Sequence, residues 1–220
     1  MAKILVIGGT RGIGLEMVKC VLQRGHNATA FARNPNEIIL EHPHLELVRG
    51  DARNAAEVAG ALSGVDAVIM TLGVKPGPRR MLLPVTLFSS ATRILLAAMA
   101  ETGVRRLVAI TGIGASESRS AIPCVARPAF DLALGNAYDD KGRQERLIAD
   151  SETDWTIVRP GVLINTPACR KYKVLDDPST WHPGLTSRAD VAAFAVACAV
   201  DGNYLRKAPL ILTHSIGCRE

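Results

Sequence analysis

No two cysteines of the chain stand at C-x-x-C spacing. The five present (Cys20, Cys124, Cys169, Cys198 and Cys218) are odd in number and scattered, which argues against a disulfide framework or a zinc cage and reads as reduced cytosolic thiols. The five histidines (His26, His42, His44, His182 and His214) show no metal spacing either, so no metal is expected. Aromatic residues are scarce, at 4%, and the net charge of +5 is spread in short pairs such as Arg79-Arg80 and Arg105-Arg106. A nucleic-acid protein would gather that charge on one face, with aromatics among it for single strands, so no nucleic-acid partner is expected. No apolar run reaches membrane-spanning length, and Met1 leads straight into a strand-like run. The expectation is therefore a cytoplasmic protein without membrane attachment. Repeats, low-complexity tracts and linkers are missing, and 220 residues suffice for one domain with a full core.

What the chain does have is residues 3 to 14, Lys-Ile-Leu-Val-Ile-Gly-Gly-Thr-Arg-Gly-Ile-Gly. The apolar run Ile4 to Ile7 reads as a strand buried on both faces, as in parallel sheets. It breaks at Gly8-Gly9 and resumes from Leu15 with apolar residues at helical spacing. Strand, glycine turn and helix in succession form the phosphate-binding corner of a dinucleotide fold, where backbone without Cβ atoms lets a pyrophosphate reach the helix N-terminus. Gly8, Thr10, Arg11, Gly12, Ile13 and Gly14 are the candidate contacts.

Downstream, strand and helix alternate. A second strand, 27–32, ends at Arg33-Asn34-Pro35, beside the place of the adenosine ribose, where an acid would favour NAD. Arg33 instead fits a 2′-phosphate in bidentate fashion, with Arg11 reaching it from the glycine turn, so NADP(H) is preferred over NAD(H). The same arginines would also suit solvated loops. A third strand, 45–48, leads to Asp51, read both as acceptor for the adenine amino group, with a backbone N–H such as that of Ala52 meeting the ring, and as N-cap of a helix at 54–62. The fourth strand, 66–70, should pass Thr71, Leu72 and Gly73 along the ribose. A loop through Lys75 to Arg80 and a helix at 84–101 follow, then a fifth strand, 107–110, ending at Thr111 and Gly112. Residues 115–136, with two prolines, do not read as one element; with the irregular stretch 163–186, carrying Trp181 and His182, they are expected to form the substrate pocket. A polar helix covers 137–150 and a sixth strand 155–158; Ser187 is read as N-cap, with Asp190 in the first turn, of an alanine-rich helix to Val200. Residues 210–213 form a last, edge strand.

Laid end to end, Ile-Gly-Gly-Thr-Arg-Gly-Ile-Gly (7–14), Arg33-Asn34-Pro35, Gly50-Asp51, residues 154–161 (Asp-Trp-Thr-Ile-Val-Arg-Pro-Gly) and residues 187–192 resemble the short-chain dehydrogenase/reductase superfamily. The length and the last two motifs look like its atypical branch, the NAD(P)-binding proteins similar to biliverdin reductase B (flavin reductase) and to NmrA-like proteins. The resemblance implies a single-domain Rossmann-like α/β fold. Its doubly wound parallel sheet would have strand order 3-2-1-4-5-6-7, with helices on both faces and NADP across the strand ends. It further implies a serine at the end of strand five and a Tyr-x-x-x-Lys on the next helix. Here the serine position falls on Gly112, with Thr111 the neighbouring hydroxyl, and the tyrosine position falls on Ala137 if Lys141 is the lysine. Tyr138 stands three residues before Lys141 instead of four, which is read mainly as a helix-surface tyrosine and secondarily as an offset proton relay. Lys141 is a candidate ribose or nicotinamide ligand, or else an exposed i,i+4 partner of Glu145. Pro160, Gly161 and Val162 would present backbone groups to the carboxamide end of the nicotinamide.

Losing the serine–tyrosine pair argues against ordinary carbonyl reduction. It matters less for hydride transfer to a flavin, a bilin-type tetrapyrrole or a quinone, whose conjugated rings spread the incoming charge. The leading expectation is an NADPH-dependent reductase of a small conjugated or apolar substrate, working as a monomer or weak homodimer. A non-catalytic NADP(H) sensor of the NmrA-like type and a small-molecule or sugar epimerase or isomerase are the alternatives.

Overall fold

The computed structural model describes residues 1–74, 77, 83–168 and 171–213. The expected loop residues Lys75, Pro76, Pro78, Arg79 and Arg80 lie outside them. The apolar runs become the inner strands of a sheet covered on both faces. β1 (Lys3–Ile7), β2 (Asn27–Ala32), β3 (Leu45–Arg49), β4 (Ala67–Met70), β5 (Arg106–Ile110) and β6 (Asp154–Pro160) are all parallel, in the order β3-β2-β1-β4-β5-β6. The pleat of β1 sends Ile4 and Val6 to one side and Leu5 and Ile7 to the other. The first pair meets α1 (Gly12–Gln23) and α5 (Arg188–Asp201) through Met17, Val18, Val191 and Ala195. The second meets α2 (Ala55–Ala61), α3 (Leu87–Thr102) and α4 (Arg127–Ala149) through Val58, Leu95, Met99 and Ile148. Both layers bury their apolar stripes against the sheet, which is why neither strand face needs polar alternation.

Four short strands complete the far side: β7 (Val162–Ile164), β8 (Tyr172–Leu175), β9 (Leu185–Ser187) and β10 (Leu210–Thr213). β10 adds to β6 in parallel, as expected, but it is not the edge, because β8 pairs with it antiparallel on the outside. Leu210 and Ile211 are fully buried and need that cover, whereas β8 carries Lys173 and tolerates solvent. β7 and β9 form a separate parallel pair.

Three helix starts differ from the expectation. α4 begins ten residues early, at Arg127, because Pro128 sits in its first turn, where the missing N–H costs nothing. Residues 115–136 therefore hold a 3-10 turn, Ser116–Ala121, followed by helix. The N-cap of α2 is Asn54, which accepts from Ala56 N and Glu57 N, and not Asp51. Ser187 occupies the N-cap position of α5, but its hydroxyl donates to the Thr166 carbonyl at 2.7 Å instead of capping.

α3 is capped from outside. Asp140, on α4 and fully buried, accepts from Phe88 N (2.8 Å), Ser89 N (3.3 Å) and Ser89 Oγ (2.5 Å). This joins two helices on one face of the sheet through the positive end of one of them. Asp140→Ala should lower unfolding free energy by about 1–2 kcal/mol. Urea denaturation should show a lower midpoint at unchanged slope; a midpoint equal to that of the parent chain would remove the cap.

Candidate functional site

The glycine turn is closed by backbone contacts that a side chain would prevent. A Cβ on Gly14 would lie 2.1 Å from the Gly8 carbonyl oxygen, and one on Gly8 (φ +92°) 2.8 Å from that of Thr71. The start of α1 is thereby pressed over the end of β1. Arg11 takes the N-cap position in extended conformation with no side-chain cap, and the first turn of α1 holds no acid. The N–H groups of Gly12, Ile13 and Gly14 have no intrahelical partner and sit at the positive end of the helix. This cradle, uncapped and lacking Cβ atoms, fits a phosphate.

Along the strand ends, Arg33 and Arg11 are exposed and in no ion pair among the described residues. Asp51 is held by Arg53, whose Nη2 lies 3.0 Å away and whose backbone N–H also donates at 2.9 Å, and these hydrogen bonds keep the carboxyl below its ordinary pKa. Its own N–H donates to Glu57, and Ala52 beside it is buried. Gly50 is required here because a Cβ would meet the Phe31 ring at 2.4 Å. Thr71 is tied to β1 by its N–H on the Ile7 carbonyl, with Leu72 half-buried and Gly73 exposed beyond it.

At the other end, α4 brings Tyr138 and Lys141 to the end of β5. Tyr138 is not a surface tyrosine. Its hydroxyl lies 2.7 Å from where a Gly112 Cβ would be, and its ring packs edge-on against Phe130 with centroids 4.9 Å apart. Burial raises its pKa. The absence of a side chain at Gly112, the serine position, thus leaves room for a tyrosine displaced by one residue. Lys141 is not an exposed partner of Glu145. It is buried, its Nζ donates to the Ile110 carbonyl at 3.2 Å and sits 4.5 Å above the Phe88 ring. Burial lowers its pKa from 10.5 to about 8, against the pull of Glu145 and Asp140.

Glu145 is engaged elsewhere. It forms a buried pair with Arg159 at 2.8 Å and accepts the Thr111 hydroxyl at 2.6 Å, so Thr111 has no hydroxyl proton to offer a substrate. Arg159 reaches on to Glu117 and stacks on Trp181. Neither Glu145 nor Arg159 stands among the expected site residues. The signal was an arginine inside the apolar strand 154–160, since a buried charge requires a partner. The turn after β6 is corrected as well. Gly161 N donates to Thr186 Oγ1 and Val162 N to the Gly184 carbonyl, while the Pro160 carbonyl accepts from Ile113 N. The N–H groups of Gly161 and Val162 are spent within the protein and are not free for a carboxamide; the Val162 side chain is exposed. Trp181 lies against Arg159, and His182 is exposed beside Pro183.

Among the described residues, no helix is long and apolar enough to cross a membrane, and no group of three or more His, Cys, Asp or Glu side chains could hold a metal ion.

A sequence profile for NAD(P)H binding matches residues 8–201, spanning the glycine turn, Tyr138, Lys141 and α5. The chain belongs to the NAD(P)H-binding family. Within it, the uncharacterised sugar epimerase YhfK of Bacillus subtilis is 28% identical over 206 residues, 91% of this chain and 89% of its own. The chain spans only 20% of a Mycolicibacterium neoaurum 3-beta-hydroxysteroid dehydrogenase that it matches over 74 residues at 35% identity. Among solved structures, the Escherichia coli O157:H7 anaerobilin reductase ChuY superposes with a TM-score of 0.79 at 21% identity, covering 99% of this chain and all of its own. A Veillonella parvula short-chain dehydrogenase/reductase in complex with NADP has a TM-score of 0.80 at 16% identity, covering 97% and 95%. The profile and the shared fold together establish a Rossmann-like NAD(P)H-binding domain.

Lys141 gives this NAD(P)H-binding domain a pH signature. Below pH 8 the folded protein carries a buried charge that the unfolded chain solvates freely. Between about 8 and 10.5 the folded lysine has released its proton and the unfolded one has not, so stability rises with pH across that window. Lys141→Met removes this dependence. Its stability relative to the parent chain should be higher by up to about 3 kcal/mol at neutral pH than at pH near 11, in urea titrations without dinucleotide. Any change in packing acts equally at both pH values and cancels; a difference independent of pH would place the amine in water.

Proposed function

We propose that the protein is a cytoplasmic NADPH-dependent reductase that passes hydride to a conjugated acceptor such as a flavin, a biliverdin-like tetrapyrrole or a quinone. One observation carries this reading: Tyr138 stands at the strand end without an activating cation. Where a tyrosine must protonate a growing alkoxide, a neighbouring lysine lowers its pKa. Here burial raises the Tyr138 pKa, and the Lys141 amine is directed to the Ile110 carbonyl and the Phe88 ring. A plain carbonyl would meet a reluctant acid. A conjugated ring spreads the charge over many atoms and takes its proton from water afterwards.

Bound reduced dinucleotide would supply the hydride. The chain's own residues would position it, with Gly8 to Gly14 on the diphosphate, Arg11 and Arg33 on the 2′-phosphate, Asp51 and Ala52 at the adenine, and Lys141 at the nicotinamide side. Phe130 and Tyr138, both half-buried, offer an aromatic wall on which a flat acceptor would lie. The shared fold of ChuY, an anaerobilin reductase, agrees with this reading. The unactivated tyrosine equally suits a non-catalytic NADP(H) sensor, which would bind dinucleotide with no turnover. An epimerase, the activity in the name of YhfK, would need Tyr138 as its proton carrier.

Purified protein mixed with NADPH and FMN, biliverdin or a quinone should oxidise NADPH, followed by its near-ultraviolet absorbance. Tyr138→Phe should reduce kcat by less than about tenfold, well under the ~10²–10⁴ of a general acid. No oxidation with any acceptor, or a loss of general-acid size, refutes the reading. Arg33→Ala should weaken NADPH by about 10- to 100-fold in calorimetric titrations while leaving NADH nearly unchanged, as expected for one charge-assisted phosphate contact. Equal weakening of both would remove the preference for NADP.

A further inference from the structure

Arg188, the first residue of α5, stands beside the glycine turn. The nearest atom to a Cβ built on Gly12 (φ +56°) is Arg188 Nε at 4.0 Å, and that side of Gly12 is otherwise open. Asn165 holds the guanidinium there, accepting from Nη1 at 2.7 Å. A cavity of about 560 Å³ follows the groove between α1 and α5, with Gly12, Arg188 and Asn165 in its wall and Glu16, Lys19 and Gln23 further along α1.

The position is electrostatically wrong for a cation unless an anion joins it. Arg188 is half-buried next to Gly12 at the positive end of α1, and the first turn of α1 has no acid. Glu16, one turn along, is paired with Lys19 at 2.9 Å. Among the described residues Arg188 is in no ion pair, and the Asn165 amide fixes the guanidinium without neutralising it. The packing of α5 on α1 therefore brings a second source of positive charge to the uncapped N–H groups of Gly12, Ile13 and Gly14.

We propose that Arg188 is a ligand of the dinucleotide's diphosphate, closing on it from the α5 side of the glycine turn. The diphosphate is the part that lies at the N-terminus of the first helix in this fold, whereas the 2′-phosphate belongs at the end of β2, with Arg33. The inference rests on dinucleotide binding at the glycine turn and is independent of which acceptor is reduced. Arg188 then acts alike on NADPH and NADH, and it adds a bidentate, charge-assisted contact that backbone N–H groups alone do not make.

Calorimetric titration of the full chain with NADPH, NADH and adenosine 2′-monophosphate tests this. The last probe carries the 2′-phosphate and adenosine without the diphosphate. In Arg188→Gln, NADPH and NADH should both weaken by about 10- to 100-fold, adenosine 2′-monophosphate should bind as in the parent chain, and Arg188→Lys should recover part of the loss. Weakening of NADPH alone would move Arg188 to the 2′-phosphate and overturn the proposal. Weakening of all three probes alike would assign Arg188 to holding the fold and overturn it too. Parent-chain binding that Arg188→Gln leaves unchanged sinks the role of Arg188 only. A parent chain that binds neither dinucleotide sinks the glycine-turn site, and this inference with it.

Discussion

The chemistry end of the site depends on one buried ion pair. Glu145 and Arg159 meet at 2.8 Å with side chains 3% exposed, and two charges so placed are tolerable only if their remaining hydrogen-bonding capacity is filled. Thr111 donates to Glu145, while Glu117, the Ala208 carbonyl and the Trp181 ring occupy the other sides of Arg159. The pair thereby joins α4, the ends of β5 and β6, and the segment that folds over them. Removing one member leaves a naked charge in the interior, worth about 3–5 kcal/mol in comparable cases. The contribution is to geometry more than to net stability, because it sets where α4 stands relative to the strand ends.

Consequences run along α4. With Glu145 committed to Arg159, Lys141 has no ion-pair partner at i+4 and turns to a neutral carbonyl and a ring face, where burial depresses its pKa to about 8. With the lysine so disposed, nothing lowers the pKa of Tyr138, and burial raises it. Asp140 is withdrawn from the same helix to cap α3. Four neighbouring polar side chains of one helix are thus allotted to packing, and the tyrosine–lysine pair that the family resemblance implies has no activating contact between its members among those described.

The sheet was legible because its inner strands are buried on both faces and read as apolar runs, and the phosphate turn because its glycines answer to backbone contacts of 2–3 Å that no other residue permits. Residues 127–136 were not, because Pro128 breaks a helix in its interior and begins one at its start, and spacing alone does not say which. The burial of Tyr138 is hidden for a related reason. Its orientation is set by Phe130, two turns earlier on the same helix, and by the absence of a side chain at Gly112, which is remote in sequence from the Tyr–Lys motif. The cover that β8 gives β10, and the partner of Glu145, are tertiary facts that a local pattern of polar and apolar residues does not encode.

The two ends of the site differ in charge, and that difference bears on what each can do. The binding end combines the N-terminus of α1 with Arg11 and Arg188 beside it and Arg33 at the end of β2, none of the three in an ion pair among the described residues. It is prepared for a polyanion before one arrives. The chemistry end presents Phe130 and Tyr138, with a buried lysine of weakened basicity and a hydroxyl already spent on Glu145 behind them. Such a surface holds a flat, weakly charged molecule well and stabilises a localised oxyanion poorly. On the proposed reading, positive charge committed to the dinucleotide and a tyrosine kept neutral by burial suit acceptors that carry their own means of delocalising a hydride.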